Sequence, residues 1–225
     1  MIALPNTDPT EDVMAHRNSV LIPFSRRVIL VALVSLAAFC FISPAFAKAP
    51  AEPKQEVSPP EYNRSTAEYK VPDVEIIRND GKHLNLIKEL DDGRPVMMNF
   101  IFASCSAICP MLSHVFMQVQ NKLAKDKQNL HLMSISIDPE NDTPSVLNDY
   151  AKKFKAGSQW DFYTGTLKTS KAIQEAFNVY RGDKMNHASV ILIRPAPGKP
   201  WLRLDGFASP EAVIREYHMV LEDKK

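Results

Sequence analysis

Apolar residues in this chain gather into short continuous or alternating runs, separated by longer stretches of helical period. Residues 96–102 (VMMNFIF) are nearly all apolar, as in a central strand buried on both faces. Residues 130–137 (LHLMSISI) alternate apolar with small or polar side chains and predict the next strand. Between them Val115, Val119 and Leu123 step by four, which predicts a helix over 107–124. A second helix is expected over 144–154, with Asp142 or Thr143 to cap it and Pro144 suited to its first turn. A short strand at 160–163, a helix at 168–177, strands at 189–193 and 201–205, and a closing helix at 210–221 complete the series. Ahead of it all, residues 74–77 and 82–84 flank Arg78-Asn79-Asp80-Gly81, whose Asp-Gly step marks a hairpin turn. This order predicts an α/β chain. The expected fold is a thioredoxin-like sandwich, a central mixed β-sheet flanked by helices, with an N-terminal β-hairpin.

The region before residue 71 reads differently. Residues 28–42 (VILVALVSLAAFCFI) carry no charge, Arg17, Arg26 and Arg27 precede them, and Ala45-Phe46-Ala47 follows. A basic flank, an apolar core and an A-x-A exit predict a bacterial export signal cut after Ala47. The run is about 15 residues, short of the roughly 20 that span a bilayer comfortably; left uncut, it would serve as a tilted membrane anchor. Either outcome sends the domain to the bacterial periplasm, released or tethered to the inner membrane. Cys40 lies inside this run as an apolar filler. Residues 48–70 are rich in proline and charge and lack a period, so a flexible tether is expected there. The division is thus 1–47, an export signal or anchor; 48–70, a tether; and 71–225, one domain.

Charge narrows the function. The formal net charge is +1, and no basic stripe accompanies it, so a nucleic-acid surface is not expected. No glycine-rich phosphate loop, internal repeat, serine triad or paired carboxylates stand out. Chemistry then falls to the cysteines. Only Cys105 and Cys109 lie outside the leader, and in an oxidising compartment such a pair is a disulfide, a redox couple or a metal site.

On a helix four residues advance about 400°, so Cys105 and Cys109 would share a face with Cα atoms about 6 Å apart, within disulfide range. Their place, where a buried strand runs into a helix, is where such sheets bind ligands. The first helical turn also lowers a thiol pKa. His187, at the mouth of a later apolar run, adds an imidazole. Thiolates and imidazole select copper(I), zinc or thiol redox chemistry. A structural zinc site usually shows a fourth protein ligand, and none is evident. A structural disulfide across so short a loop removes little unfolded-state entropy. A metal site is the preferred reading, with thiol redox and a structural disulfide as the alternatives. His114 lies about 140° around a helix from Cys109, off that face. His83, His131 and His218 have no partner pattern, and Met185 reads as a loop methionine. Met97, Met98, Met111 and Met133 read as core packing. Asp138 is expected to close a turn, with orientation of a metal ligand as the alternative.

These residues also resemble a known family. The segment Phe100-Ile101-Phe102-Ala103-Ser104-Cys105-Ser106-Ala107-Ile108-Cys109-Pro110 is similar to the C-x-x-x-C-P segment of the Sco/SenC proteins. Ser136-Ile137-Asp138-Pro139-Glu140-Asn141-Asp142-Thr143-Pro144 is similar to their S-x-D-P-x-x-D-T-P segment, and Asn186-His187 matches the position of their metal-binding histidine. The resemblance runs from about residue 71 to the end. It implies one copper ion, copper(I) or copper(II), bound by Cys105, Cys109 and His187. It also implies a part in building the binuclear copper centre of cytochrome c oxidase. The implied partner is the copper-site subunit of a respiratory oxidase, with other copper carriers or thiol reductants besides. Two roles follow: delivery of copper without turnover, or dedicated reduction of the acceptor's cysteines through a mixed disulfide, with Cys105 and Cys109 as the redox pair. Asn186 stands where many members carry Asp, and the loop 181–186 is short. Both departures touch the metal loop and leave the three ligands intact.

Overall fold

The computed structural model describes residues 62–125 and 129–222. The expected export signal or anchor, 1–47, and the first part of the expected tether, 48–61, lie outside the described residues.

Strand β4 (Val96–Ile101) is buried at every position because it has neighbours on both sides and layers on both faces. It pairs in parallel with β5 (His131–Ser136) and antiparallel with β7 (Val190–Arg194). Beyond β5 lie β6 (Trp160–Thr164), β2 (Glu75–Arg78) and β3 (His83–Asn85); beyond β7 lie β8 (Trp201–Gly206) and β1 (Tyr62–Ala67). The sheet is mixed, in the order β1-β8-β7-β4-β5-β6-β2-β3. Helix α2 (Ile108–Lys125) packs on α5 (Pro210–Glu222) and on β4, and α3 (Pro144–Lys153) packs on β6. Phe177, which ends α4 (Leu167–Ala176), meets the rings of Phe100 and Trp201. This is the expected thioredoxin-like α/β arrangement, and the β2–β3 hairpin turns through Gly81 at φ +84° as the Asp-Gly step requires. Among the described residues no helix is long and apolar enough to cross a membrane.

Three details depart from the expectations. The tether does not reach residue 70, because Tyr62–Ala67 form β1 and pair along their whole length with β8. The segment YNRSTA looked unstructured because an edge strand is held by backbone pairing and exposes most of its side chains. A five-residue helix, α1 (Leu86–Leu90), follows β3; Asn85 caps it by accepting from the Lys88 amide, and it is too short to show a period. Met111 is 54% exposed on α2, unlike the buried Met97, Met98 and Met133.

One buried acid anchors β1. Glu216 of α5 accepts hydrogen bonds from the Tyr62 hydroxyl (2.9 Å) and from Arg64 Nε (2.8 Å). Glu216→Ala should therefore lower stability by about 1–3 kcal/mol in denaturant unfolding, the usual range for leaving a buried partner, here the Tyr62 hydroxyl, unsatisfied. Hydrogen exchange should rise first at 62–67. An unchanged midpoint and unchanged exchange would mean that backbone pairing alone holds β1.

Candidate metal centre

Strand register builds this site. β4 and β7 run antiparallel, with Val96 opposite Arg194 and Asn99 opposite Ile191. Continuing that register past Ile101 brings the residues just before Val190 alongside Phe102 and Ala103. His187 sits there, its ring edge-on to Phe102 with centroids 5.2 Å apart. On the other side, the parallel register sets Ile101 opposite Ser136, so the loop 137–143 leaves the sheet at the same end. Three segments remote in sequence thus meet at the carboxyl end of β4, where ligands bind in such sheets.

The chain leaves β4 at Ile101, turns, and enters α2 at Ile108. Cys109 lies in the first turn of α2, whereas Cys105 precedes the helix, so the expected shared helical face does not apply. The turn itself brings them together. The Cys105 amide donates to the Phe102 carbonyl (3.1 Å), and Cys105 Sγ accepts from the Cys109 amide (3.4 Å). The Phe102 amide donates to Cys109 Sγ (3.4 Å), and His187 Nε2 lies 3.3 Å from that sulfur. Ligand atoms of Cys105, Cys109 and His187 all fall within 4.8 Å of one another, and both cysteines are free thiols. Among the described residues no further His, Cys, Asp or Glu joins the group.

The two thiols differ electrostatically. Burial pushes the half-buried Cys105 thiol up, but the amides of Cys109, Ala107 and Ile108 at the open end of α2 outweigh it and hold the pKa below the ordinary thiol value. Cys109 is fully buried, and burial drives its pKa far above the usual thiol range despite the Phe102 amide. The expected lowering by the helix start therefore holds for Cys105 alone. A cation bound between them would supply the charge that a Cys109 thiolate lacks.

His187 is 9% exposed, and its Nδ1 lies 2.9 Å from the Lys184 carbonyl. A carbonyl only accepts, so Nδ1 carries the proton and the Nε2 lone pair faces Cys109. Two acids hold the surroundings. Asp142 is 1% exposed and accepts from the Ala103 amide (3.2 Å to each oxygen) and from Ser136 Oγ (2.6 Å). It does not cap α3; Thr143 does, accepting from the Val146 amide. Burial raises the Asp142 pKa against the lowering effect of these hydrogen bonds. Asp138 closes the expected turn, its carbonyl accepting from the Asn141 and Asp142 amides. Its carboxylate also accepts from Lys184 Nζ (2.6 Å) and Asn141 Nδ2. It acts on the histidine loop through Lys184, not on His187 directly. Lys184 escaped the sequence reading because no spacing relates it to Asp138.

The other candidates stay apart. Met185 is 70% exposed, and His114 is exposed on α2. His83 pairs with Glu75 (2.8 Å), while His131 is buried against Tyr163 (3.1 Å) and Asp161 (3.2 Å) at the far end of β5.

A family model described as SCO1/SenC matches residues 67–222. The SCO1 protein homolog of Bacillus subtilis is 33% identical over 115 residues, covering 47% of this chain and 58% of that protein. A SCO2-like protein of Rickettsia felis is 31% identical over 137 residues, covering 56% and 65%. The chain thus spans less than two thirds of the length of these curated relatives. Among solved structures, Arabidopsis thaliana ScoI with copper bound superposes with a TM-score of 0.58 at 21% identity, covering 68% of this chain and 98% of that one. BsSco, described as a member of the Sco family of cytochrome c oxidase assembly proteins with a disulfide switch, gives a TM-score of 0.58 at 25% identity, covering 70% and 96%.

The unlike thiols should react unequally. In the metal-free protein, iodoacetamide should alkylate Cys105 first, with a rate midpoint below the ordinary thiol value of about 8.5, because thiolate forms at lower pH there. Cys109 should label only on unfolding. Peptide mass mapping across pH checks both, and equal labelling of the two cysteines would contradict the assigned asymmetry.

Proposed function

The chain belongs to the SCO1/SenC family, and we propose from that premise that it is a copper-binding assembly protein for a respiratory cytochrome c oxidase. Cys105, Cys109 and His187 hold one copper ion. The observation that carries this reading is the convergence of two thiols and one imidazole nitrogen within 4.8 Å. Copper suits that set. Copper(I) accepts thiolate ligands without demanding a fourth, and copper(II) gains from the imidazole, whereas structural zinc sites generally close with four protein ligands. Cys105 is the more exposed sulfur and His187 is nearly buried, so an acceptor can begin ligand exchange at the cysteine turn. The copper-bound ScoI structure supports the same reading by fold.

The domain works outside the cytoplasm, released or tethered by the segment before Lys48. The partner is the subunit that carries the oxidase copper site. Delivery of the ion is the main role. A second reading, reduction of the acceptor's cysteines, is favoured by the free and unequal thiols. In that reaction the Cys105 thiolate attacks an acceptor disulfide and forms a mixed disulfide. Cys109 then attacks Cys105, which leaves a Cys105–Cys109 disulfide and two acceptor thiols.

Replacing either cysteine with Ser should abolish tight copper binding, since a hydroxyl is a poor soft-metal ligand. His187→Ala should retain copper(I) on the dithiolate and weaken copper(II). Metal stoichiometry and copper(II) spectra of the purified protein test this, and an unchanged stoichiometry in the double cysteine variant would sink the reading.

In cells, loss of the protein should lower oxidase assembly most when copper is scarce. Added copper should rescue a deletion strain under delivery, and a reductant should rescue it under reduction. Normal oxidase activity in that strain at low copper would remove the client.

A further inference from the structure

The histidine half of the site and the cysteine half are built on separate loops; besides the contacts of the His187 ring with Cys109 and Phe102, one ion pair ties the histidine loop to the loop that holds the cysteine turn. His187 takes its orientation from Lys184. Its backbone amide donates to the Lys184 carbonyl (3.2 Å), and its Nδ1–H donates to that same oxygen (2.9 Å). Lys184 opens a 3-10 turn, Lys184–Asn186, which Asp183 caps by accepting from the Met185 amide (2.8 Å). The side chains of the rest of that turn face solvent: Met185 and Asn186 are exposed, and Gly182 before it sits at φ +77°. Lys184, by contrast, points inward. Its Nζ lies 2.6 Å from Asp138 and 5.5 Å from the centre of the Phe102 ring. The Asp138 side chain is only 7% exposed while that of Lys184 is 36% exposed, so the carboxylate half of the pair is desolvated and the ammonium half still meets solvent. Asn141 Nδ2 fixes the same carboxylate from behind, at 3.0 and 3.1 Å. Four residues on, Asp142 of the same loop holds the Ala103 amide in the cysteine turn. The loop 138–142 therefore grips the cysteine turn with one carboxylate and the histidine loop with the other.

We propose that Lys184 is a positioning residue for the metal site: its ion pair with Asp138 latches the His187 loop against the cysteine turn and so decides whether the imidazole stands within reach of the ion. This rests on the copper reading above and adds to it. Without the latch the turn 184–186 loses its hold on the loop 138–142, and with it goes the fixed position of the Lys184 carbonyl that holds the His187 Nδ1–H. The imidazole then drifts from Cys109 and the site falls back to a dithiolate. Copper(I) is served by two sulfurs and copper(II) is not, so the latch selects between oxidation states.

Lys184→Met tests this, with Lys184→Arg as the conservative rescue. Because Lys184→Met leaves a nearly buried carboxylate with Asn141 alone, the double variant Lys184→Met/Asp138→Asn removes that charge as well and keeps the fold comparison fair. Two measurements are made on each protein. The first is nitrogen NMR of the His187 ring without metal. Wild type should show a single tautomer with a protected Nδ1–H, and both Lys184→Met proteins should show two tautomers in exchange. The second is copper affinity and copper(II) electron paramagnetic resonance. Copper(II) binding should weaken by about 10- to 100-fold, the range for loss of a residue that orients a metal ligand. The nitrogen hyperfine pattern should fade while copper(I) affinity stays unchanged, and Lys184→Arg should restore both readings. A wild-type tautomer and wild-type copper(II) affinity in Lys184→Met would overturn the proposal. Equal loss of copper(I) and copper(II), or failure of Lys184→Arg to rescue, would overturn it too, by reducing Lys184 to a general structural role. If the wild-type protein takes up no copper at all, the proposed function fails, and the tautomer measurement by itself decides the latch.

Discussion

The antiparallel pairing of β7 with β4 is the constraint on which this site depends. In a sheet, two strands that run in opposite directions bring the start of one beside the end of the other. Here the start of β7 lies beside the end of β4, and His187 is carried in just ahead of Val190. The parallel pairing of β4 with β5 does the complementary work, delivering the Asp138–Asp142 loop to the same end. Had all three strands been parallel, the segment before β7 would have opened at the opposite edge, and the two thiols would face no imidazole.

That placement sets the chemistry through burial. Cys109 lies under the Phe102 amide and beside His187 with no exposure, so its thiolate is costly until a positive charge arrives. Cys105 sits at the open end of α2, where free amides favour the thiolate. One sulfur is therefore tied to the interior and the other faces outward. An inner anchor and an outer hand suit both exchange of a metal ion with a partner and a thiol–disulfide step, in which the outer sulfur attacks and the inner one resolves. Around them the supporting groups are carboxylates from a single short loop. The carboxylates of that loop are satisfied: Ser136, Ala103 and Lys184 donate to them from outside it and Asn141 from within.

Most of the architecture was legible along the chain, because burial on one or both faces of a strand or helix imposes a local period. The run 96–102, the alternation at 130–137 and the four-residue steps of α2 mapped onto β4, β5 and α2 within a residue or two. The Asp80-Gly81 turn and the Pro144 helix start were equally plain, since each rests on backbone geometry that one or two residues dictate. What the local pattern could not carry were elements held by their partners. β1 is polar and exposed, and only its pairing with β8 and the Glu216 anchor reveal it. Met111 keeps the look of a core residue although α2 turns it outward.

The site divides the same way. The residue types and order of Cys105, Cys109 and His187 pointed to soft-metal or thiol chemistry, because donor softness is a property of the side chain and needs no fold. Where those donors sit belonged to the tertiary structure. Spacing suggested a shared helical face, yet Cys105 stands before the helix and reaches Cys109 through a turn. Spacing said nothing of Lys184 meeting Asp138, since that contact joins two loops brought together by the sheet. Nor could it assign opposite shifts to two cysteines four residues apart, because a thiol's acidity depends on the solvent, amides and charges around it. Donor identity was written in the sequence; distance, orientation and protonation came from long-range packing, which no local pattern encodes.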